Sequence, residues 1–204
     1  MTITISKKHL IIAISVLALI GISFVGHHFY SISQYEKNAK EFKARVTTLQ
    51  VPMAYVLDDY QKNWRSAIFD HQAIDQIGVS TYCSDFSDAI NWRMIANKTS
   101  IRFIETYFYD LERLMKKMDN PPSKYEKVQE KFMSIYNKMY KLKSQCKSPD
   151  GSLQSFTNEI NSLYIDIKTE MNETDLTISV ETSMLREYLE DYNRQFELVL
   201  KAGV

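Results

Sequence analysis

The amino-acid sequence predicts an all-α protein: an N-terminal transmembrane helix followed by an elongated antiparallel four-helix bundle with coiled-coil-like packing. Three observations predict this fold class. An uninterrupted apolar segment lies near the N-terminus, apolar residues beyond it recur at steps of three and four, and the 204 residues include only five glycines and four prolines. Such steps keep apolar side chains on one face of a helix, whereas tight turns between strands depend on glycine and proline.

The predicted transmembrane segment comprises residues 10–26. No charged side chain lies between Leu10 and Val25, and this length is about that of a helix that crosses the ~30 Å hydrocarbon core of a bilayer. A cleaved signal peptide is the alternative, but a cut after Gly26 would place the bulky Phe24 where a small residue is preferred. We therefore expect a retained signal-anchor that contacts the lipid bilayer through residues 10–26.

The charges around this segment predict a single-pass protein with its N-terminus in the cytoplasm. Lys7 and Lys8 directly precede the segment, whereas the first basic residue after it is Lys37. Counted over longer flanks, the basic residues show no decisive bias, so the expectation depends on the nearest charges and on the two cysteines, which suit an oxidising compartment. Residues 1–9 then form a short cytoplasmic tail, and residues 27–204 form a domain outside the cytoplasm, in the periplasm or the extracellular space.

Four helices are predicted in that domain, over residues of about 30–77, 85–118, 123–146 and 152–201. The apolar stripe of the first helix continues through Pro52, which indicates one kinked helix rather than two. Ser84 or Asp85 can cap the second helix by accepting hydrogen bonds from its free amide groups. The short turns predict an up-down arrangement, in which the C-terminus returns towards the bilayer.

The starts and seams of the last two helices can also be predicted. Ser123 and Glu126 have the spacing of a capping box for the third helix. The fourth segment contains no glycine or proline, and its apolar residues recur every seventh position, as in a coiled-coil seam: Tyr164, Met171, Ile178, Leu185, Tyr192 and Val199. Residues 172–182 are rich in poor helix formers, so we expect either that packing keeps them helical or that the helix breaks there.

The two cysteines, Cys83 and Cys146, predict a disulfide, because an extracytoplasmic compartment is oxidising. Both lie towards the same end of the hairpin formed by the second and third helices. In ideal helices they would be offset by ~18 Å along the axis, whereas a disulfide requires Cα atoms within ~7 Å. The loop before the second helix would therefore have to fold back. Two buried free thiols are the alternative.

Two polar residues interrupt the apolar stripes. Asn97 lies on the stripe of the second helix, which predicts a buried amide with a partner across the bundle. It also begins a glycosylation triplet, which would require exposure, and we favour burial. His71 lies on the stripe of the first helix, either as a pH-sensitive or ligand-binding group or as a hydrogen-bonded histidine of the core or its boundary. We favour the second interpretation.

Four tyrosines fall outside the strict stripes and form a candidate binding face: Tyr107, Tyr109, Tyr136 and Tyr140. Tyrosine suits binding surfaces because an apolar ring carries a polar hydroxyl group. The alternative, which the aromatic content of the stripes favours, is that these rings contribute to packing.

The sequence lacks the patterns of catalytic, cofactor and metal sites. His71 is the only histidine after residue 28, and no Glu-x-x-His pair, nucleophile elbow or phosphate-binding glycine loop occurs. Adjacent carboxylates such as Asp58 and Asp59 point apart on a helix. Acidic and basic residues number 25 each and are mixed along the chain, which does not favour nucleic acid. We expect a protein that is not an enzyme and uses no cofactor, with an uncertain site around His71 as the catalytic alternative.

Two functions fit this outline. The first is a non-enzymatic, membrane-anchored module that binds a partner protein or associates with itself, or serves a structural role. The second is a ligand-sensing bundle. The outline is similar to the four-helix sensor domains of bacterial chemoreceptors, in which long outer helices meet the membrane. The resemblance is one of architecture, and it implies that a separate partner would transmit the signal, since one crossing and no signalling part are predicted.

Overall fold

A computed structural model describes residues 7–75 and 78–202, and it describes side chains over residues 27–75 and 78–198. Within this part the chain forms six α-helices, one 3-10 turn and one hairpin of two short strands. In chain order these are α1 (Lys7–Asp70), β1 (Gln72–Ile74), β2 (Ser80–Tyr82), α2 (Phe86–Ala96), α3 (Lys98–Lys117), the 3-10 turn Ser123–Tyr125, α4 (Glu126–Lys147), α5 (Leu153–Asp175) and α6 (Thr182–Ala202). The predicted helical fold class is confirmed.

The predicted transmembrane segment, residues 10–26, lies outside the residues whose side chains are described. Among the described residues, no helix carries a stretch that is both long enough and apolar enough to cross a membrane. The membrane contact predicted for residues 10–26 therefore stays a prediction.

Helix α1 is the centre of the bundle. Its predicted apolar stripe is buried from Tyr35 to Ala67, and α1 contacts each of the five other helices. Pro52 lies inside the continuous helix, as the unbroken stripe indicated. The predicted stripes of the other helices are buried against α1 in the same core, including Ile104, Phe108 and Leu111 on α3, Phe132, Ile135, Met139 and Leu142 on α4, and Phe156, Ile160 and Ile167 on α5.

Contacts with α1 define the direction of α4. Tyr125, directly before α4, stacks on Tyr35 with 4.9 Å between ring centroids. At the other end of α4, the carbonyl of Cys146 accepts a hydrogen bond of 2.9 Å from the hydroxyl of Tyr60. The order of these contacts shows that α4 runs parallel to α1.

Helix α3 runs antiparallel to α1. Asn97, directly before α3, donates to Asp59 at 2.6 Å, whereas Asp110, further along α3, accepts from Arg45 at 3.1 Å. The sequence predicted one helix over residues 85–118, but Asn97 separates α2 from α3. The predicted cap at the start of α2 is confirmed, because the Asp85 carboxylate accepts from the amide of residue 88 at 3.0 Å.

The last predicted helix, over residues 152–201, is two helices in the structure. Helix α5 runs antiparallel to α1, since Phe156 packs on Trp64 and Asp175 pairs with Lys43. The chain then turns at residues 176–181, so the seven-residue seam does not continue along one helix.

Helix α6 runs back along α1 and α3. The guanidinium of Arg45 lies over the ring of Tyr188, whereas Phe196, further along α6, packs against Phe103 of α3. Because α3 places Asn97 beside Asp59 and Asp110 beside Arg45, Phe103 lies nearer than Arg45 to the C-terminal end of α1. Helix α6 therefore runs parallel to α1. The prediction that the C-terminus returns towards the N-terminal end of α1 is therefore wrong.

Two other predicted helix ends also differ. The first helix ends at Asp70 rather than near residue 77, because the chain enters β1 through a left-handed residue, His71 (φ 53°). The capping box of Ser123 and Glu126 does not form, since Ser123 lies in the 3-10 turn. A reciprocal box forms instead at the start of α5, between Ser152 and Ser155.

A buried lysine stabilises the turn after α5. The side chain of Lys43 is 2% exposed, and its Nζ pairs with Asp175 and donates to the carbonyls of Ile178 at 2.8 Å and Met171 at 3.5 Å. Ile178 lies in the turn beyond α5, and Lys43 supplies a charged donor for its buried backbone carbonyl. Burial lowers the pKa of Lys43, and the Asp175 carboxylate opposes this effect.

Replacing Lys43 with methionine should reduce the free energy of unfolding by about 1–3 kcal/mol, since the buried carbonyl of Ile178 loses its donor. Urea denaturation followed by circular dichroism measures this loss. Lys131→Met is the matched control: Lys131 also pairs with a carboxylate of α5, Glu173, but both side chains are at least 40% exposed, and such pairs contribute about 0–1 kcal/mol. Equal losses in the two variants would contradict the role given to Lys43.

Candidate functional site

Three of the residues that the sequence singles out, His71, Cys83 and Asn97, lie at one end of the bundle. We call this the hairpin end, and define it as residues 55–75 and 78–97, which comprise the last turns of α1, both strands and α2. A small buried cluster holds the hairpin on the helices. It is formed by Ala67 of α1, Ala73 of β1, Cys83 directly after β2, and Ala89 of α2, with Trp92 packed against it. Alanine at three of these positions lets the hairpin backbone approach α1 and α2 closely.

Hydrogen bonds also attach the hairpin to α1. The strands pair antiparallel, with Gln72 opposite Tyr82 and Ile74 opposite Ser80. The amide of Ile74 donates to Oδ1 of Asn63 on α1 at 2.6 Å. Asn63 is itself 3% exposed, so this bond fixes the position of β1 along the helix.

A buried ion pair links α1 to α2. The Arg93 side chain is 1% exposed and that of Asp59 is 14% exposed. The guanidinium binds the carboxylate through two bonds, Nε to Oδ2 at 2.7 Å and Nη2 to Oδ1 at 2.9 Å, and it lies 5.0 Å from the centre of the Trp92 ring. Two-bond arginine–carboxylate contacts are among the strongest polar contacts in proteins, and this one sets the position of α2.

Asn97 joins the same network at the junction of α2 and α3. It is 1% exposed, and its amide nitrogen donates to Oδ2 of Asp59. Its Oδ1 atom is buried, and no hydrogen-bond partner is described for it. A glycan on this side chain would require the network to open, so the glycosylation triplet is not accessible in the folded chain.

A cleft of about 580 Å³ lies beside this network, between α1 and β1. It is lined by Tyr55, Asp58, Asp59, Lys62, Asn63, Ile74 and Asp75. Its charges are largely paired within the chain, since Asp58 binds Lys62 at 2.6 Å and Asp59 binds Arg93. Among the described residues, no group of three or more histidine, cysteine or carboxylate side chains is placed to hold a metal ion.

Large apolar side chains are exposed at the hairpin end. Those more than 40% exposed between residues 68 and 86 are Ile68, Phe69, Ile74, Val79, Tyr82 and Phe86, with Tyr82 at 76% and Phe69 at 71%. Phe86 also stacks on Trp64 with 5.3 Å between ring centroids. On α3 to α6 the exposed apolar residues are dispersed along the helices. A concentration of this kind is typical of an interaction surface.

The structure places His71 outside the core. It is exposed and forms the connection from α1 to β1, with the carbonyl group accepting from the amide of Cys83 at 3.0 Å. The predicted position on the buried stripe is wrong because α1 ends one residue earlier. His71 therefore does not line the cleft.

Cys83 and Cys146 are both buried free thiols, so the predicted disulfide is absent. Cys83 belongs to the small cluster under the hairpin, whereas Cys146 lies in the main core, where its Sγ atom is 3.8 Å from the carbonyl oxygen of Met53. The hairpin folds Cys83 back onto the end of α1, and not onto α4. Burial raises the pKa of the Cys146 thiol far above its ordinary value, so no reactive thiolate is available there.

The four candidate tyrosines do not form one face. Tyr107 packs against Phe103 and Tyr192, under α6. Tyr136 and Tyr140 pack against Phe108 between α3 and α4. Tyr109 is 66% exposed. Packing thus accounts for Tyr107 and Tyr136, which are half-buried.

Sequence reasoning missed the ion pair and the hairpin. Arg93 precedes Asn97 by four residues, so the two share a helix face, and this spacing was the available signal for a buried polar group. No comparable signal marked the short strands, because three residues are too few to show alternation. No family description, curated protein or solved structure matches this chain.

Replacing Asp59 with alanine should reduce the free energy of unfolding by about 3–5 kcal/mol, because the Arg93 charge would remain buried without its partner. Thermal and urea unfolding measure the change. Asp58→Ala is the matched control, since the adjacent carboxylate pairs with Lys62 and both side chains are more than half exposed; we expect a loss below about 1 kcal/mol. A small effect of Asp59→Ala would show that the network does not stabilise the fold.

Proposed function

We propose that this chain is a single-pass, membrane-anchored extracytoplasmic protein, not an enzyme, that binds a protein partner through its hairpin end. The observation that carries the proposal is the exposure of large apolar side chains at that end. Residues such as Phe69 and Tyr82 cost free energy when they are exposed to water. Burial against a partner would remove that cost.

The position of the hairpin end along α1 supports this function. Helix α1 is continuous from Lys7 to Asp70, and residues 27–70 alone extend ~65 Å at ~1.5 Å per residue. If residues 10–26 span the bilayer, the hairpin end lies far beyond the lipid headgroups. A partner could then reach it without contacting the membrane, while the anchor keeps the protein at the surface.

The rigidity of the hairpin end also supports a binding role. The Asp59–Arg93 pair, the bond from Asn63 to the amide of Ile74, and the alanine-rich cluster hold the hairpin and α2 on α1. A pre-organised surface loses less conformational entropy on association than a flexible one. The exposed side chains are thus presented in a defined arrangement.

A photo-crosslinking amino acid at position 82 should capture one defined protein, identified by mass spectrometry, in membranes of the source cells. The same residue at position 109 is the matched control, because Tyr82 and Tyr109 are both tyrosines, 76% and 66% exposed, at different places on the bundle. We expect a product from position 82 and none from position 109. Products of equal yield from both, or none from either, would contradict binding at the hairpin end.

The anchor is tested separately. The full chain should remain in the membrane pellet after alkaline carbonate extraction, since a spanning helix is not removed by loss of electrostatic contacts. With Tyr109→Cys, a membrane-impermeant maleimide should label intact cells, and Cys83 and Cys146 provide the internal control because both are buried. Release of the chain by carbonate, or labelling that requires cell lysis, would contradict the proposed topology.

A further inference from the structure

We propose that two copies of this chain pair through their β2 strands, which join antiparallel to form a four-stranded sheet. The inference rests on the proposed function, because it names the partner of the hairpin end as a second copy of the same chain. It follows from the direction of the backbone hydrogen-bonding groups in the hairpin and from the residues on its open edge.

The hairpin ladder shows which groups face outwards. The amide of Cys83 donates to the carbonyl of His71 at 3.0 Å, and the amide of Asp75 donates to the carbonyl of Val79 at 2.9 Å. Hydrogen-bonded and non-hydrogen-bonded pairs alternate along an antiparallel ladder. The backbone of Thr81 is therefore hydrogen-bonded to β1, whereas the backbones of Ser80 and Tyr82 are not. The N–H and C=O groups of residues 80 and 82 therefore point away from β1.

The edge of β1 that faces away from β2 is covered by the rest of the chain, whereas the edge of β2 that faces away from β1 is open. On β1 the outward amide of Ile74 donates to Asn63, and both α1 and α2 contact this strand. Among the described elements, strand β2 has extensive contacts with β1 alone, and all three of its residues are exposed. The open edge is thus the side of β2 that faces away from β1.

This edge is complementary to itself. The outward-facing residues Ser80 and Tyr82 flank Thr81 symmetrically, so a two-fold axis at Thr81 places Ser80 of each copy opposite Tyr82 of the other. Each such pair exchanges two backbone hydrogen bonds. The Thr81 residues of the two copies then face each other as a non-hydrogen-bonded pair, with Cα atoms ~4.5 Å apart, and threonine pairs at such positions are favourable.

The charge pattern also fits a second copy. No residue from Gly78 to Ser84 is charged or is proline, and lysine and proline are among the devices by which natural edge strands prevent pairing. A two-fold interface brings identical residues together, so a charge on this edge would repel its own copy. The exposed side chains of Val79 and Tyr82 project from opposite faces of the hairpin, and each adds apolar area to the contact.

The test is an engineered disulfide at Thr81 in the full chain, in membranes, with Cys83→Ala and Cys146→Ala present so that no other thiol reacts. Thr81→Cys should give about tenfold more disulfide-linked dimer than Ser80→Cys or Tyr82→Cys alone, because only position 81 meets its own copy within disulfide distance. Co-expressed Ser80→Cys and Tyr82→Cys chains should form the mixed dimer. Melting curves that match the parent show that each variant is folded.

A proline at position 80 provides a second test. Ser80→Pro removes an outward N–H group and breaks no hydrogen bond of the hairpin, so it should abolish the dimer of Thr81→Cys. A monomeric Thr81→Cys chain, or equal dimer from all three single cysteines, would overturn the pairing. If the cysteine variants show no specific dimer but position 82 photo-crosslinks a different protein, self-pairing is wrong and binding at the hairpin end is supported. If position 82 also captures nothing, both proposals are wrong.

Discussion

The fold depends on the burial of one apolar stripe along α1. Helices α2 to α5 bury residues in the same core as this stripe, from Tyr35, which meets the start of α4, to Trp64, which meets α5 and α2. Helix α6 contacts α1 beside the stripe, where Tyr188 packs on Arg45. Burial of apolar area is the main favourable term in folding, and here one helix supplies a surface to all the others. The lengths and directions of the remaining helices are consequences of how each covers its part of that stripe.

Polar residues of α1 decide where the neighbouring elements end. Lys43 binds the carbonyl of Ile178 in the turn after α5, Asn63 binds the free amide of β1, and Asp59 binds both Arg93 and Asn97 where α2 meets α3. Buried backbone groups must be paired, so a helix or strand can end within the bundle only where such a partner is available. The buried polar residues of α1 thus bind the chain where neighbouring helices and strands begin or end.

Much of the core could be predicted from the sequence, but little of the candidate site. Steps of three and four identified the stripes of α1, α3 and α4, because periodicity is a local property that burial directly requires. The hairpin could not be found, since strands of three residues show no alternation, and the seam through Met171 and Ile178 continued where the chain turns. Asn97 stood out as a polar residue on a stripe, but its partners, Asp59 and Arg93, are 38 and four residues away, and only the nearer one was detectable.

The sequence by itself determined the helical class, the face that each long helix buries and the end at which the apolar N-terminal segment lies. Each of these follows from the order of apolar and polar residues over a few turns. Tertiary structure alone decided that His71 lies in solvent, that Cys83 and Cys146 remain apart, and that α6 runs back towards the hairpin end. The reason is that a helix ends where the backbone beyond it finds partners, and those partners, such as Lys43 for the turn after α5, lie far away in the sequence.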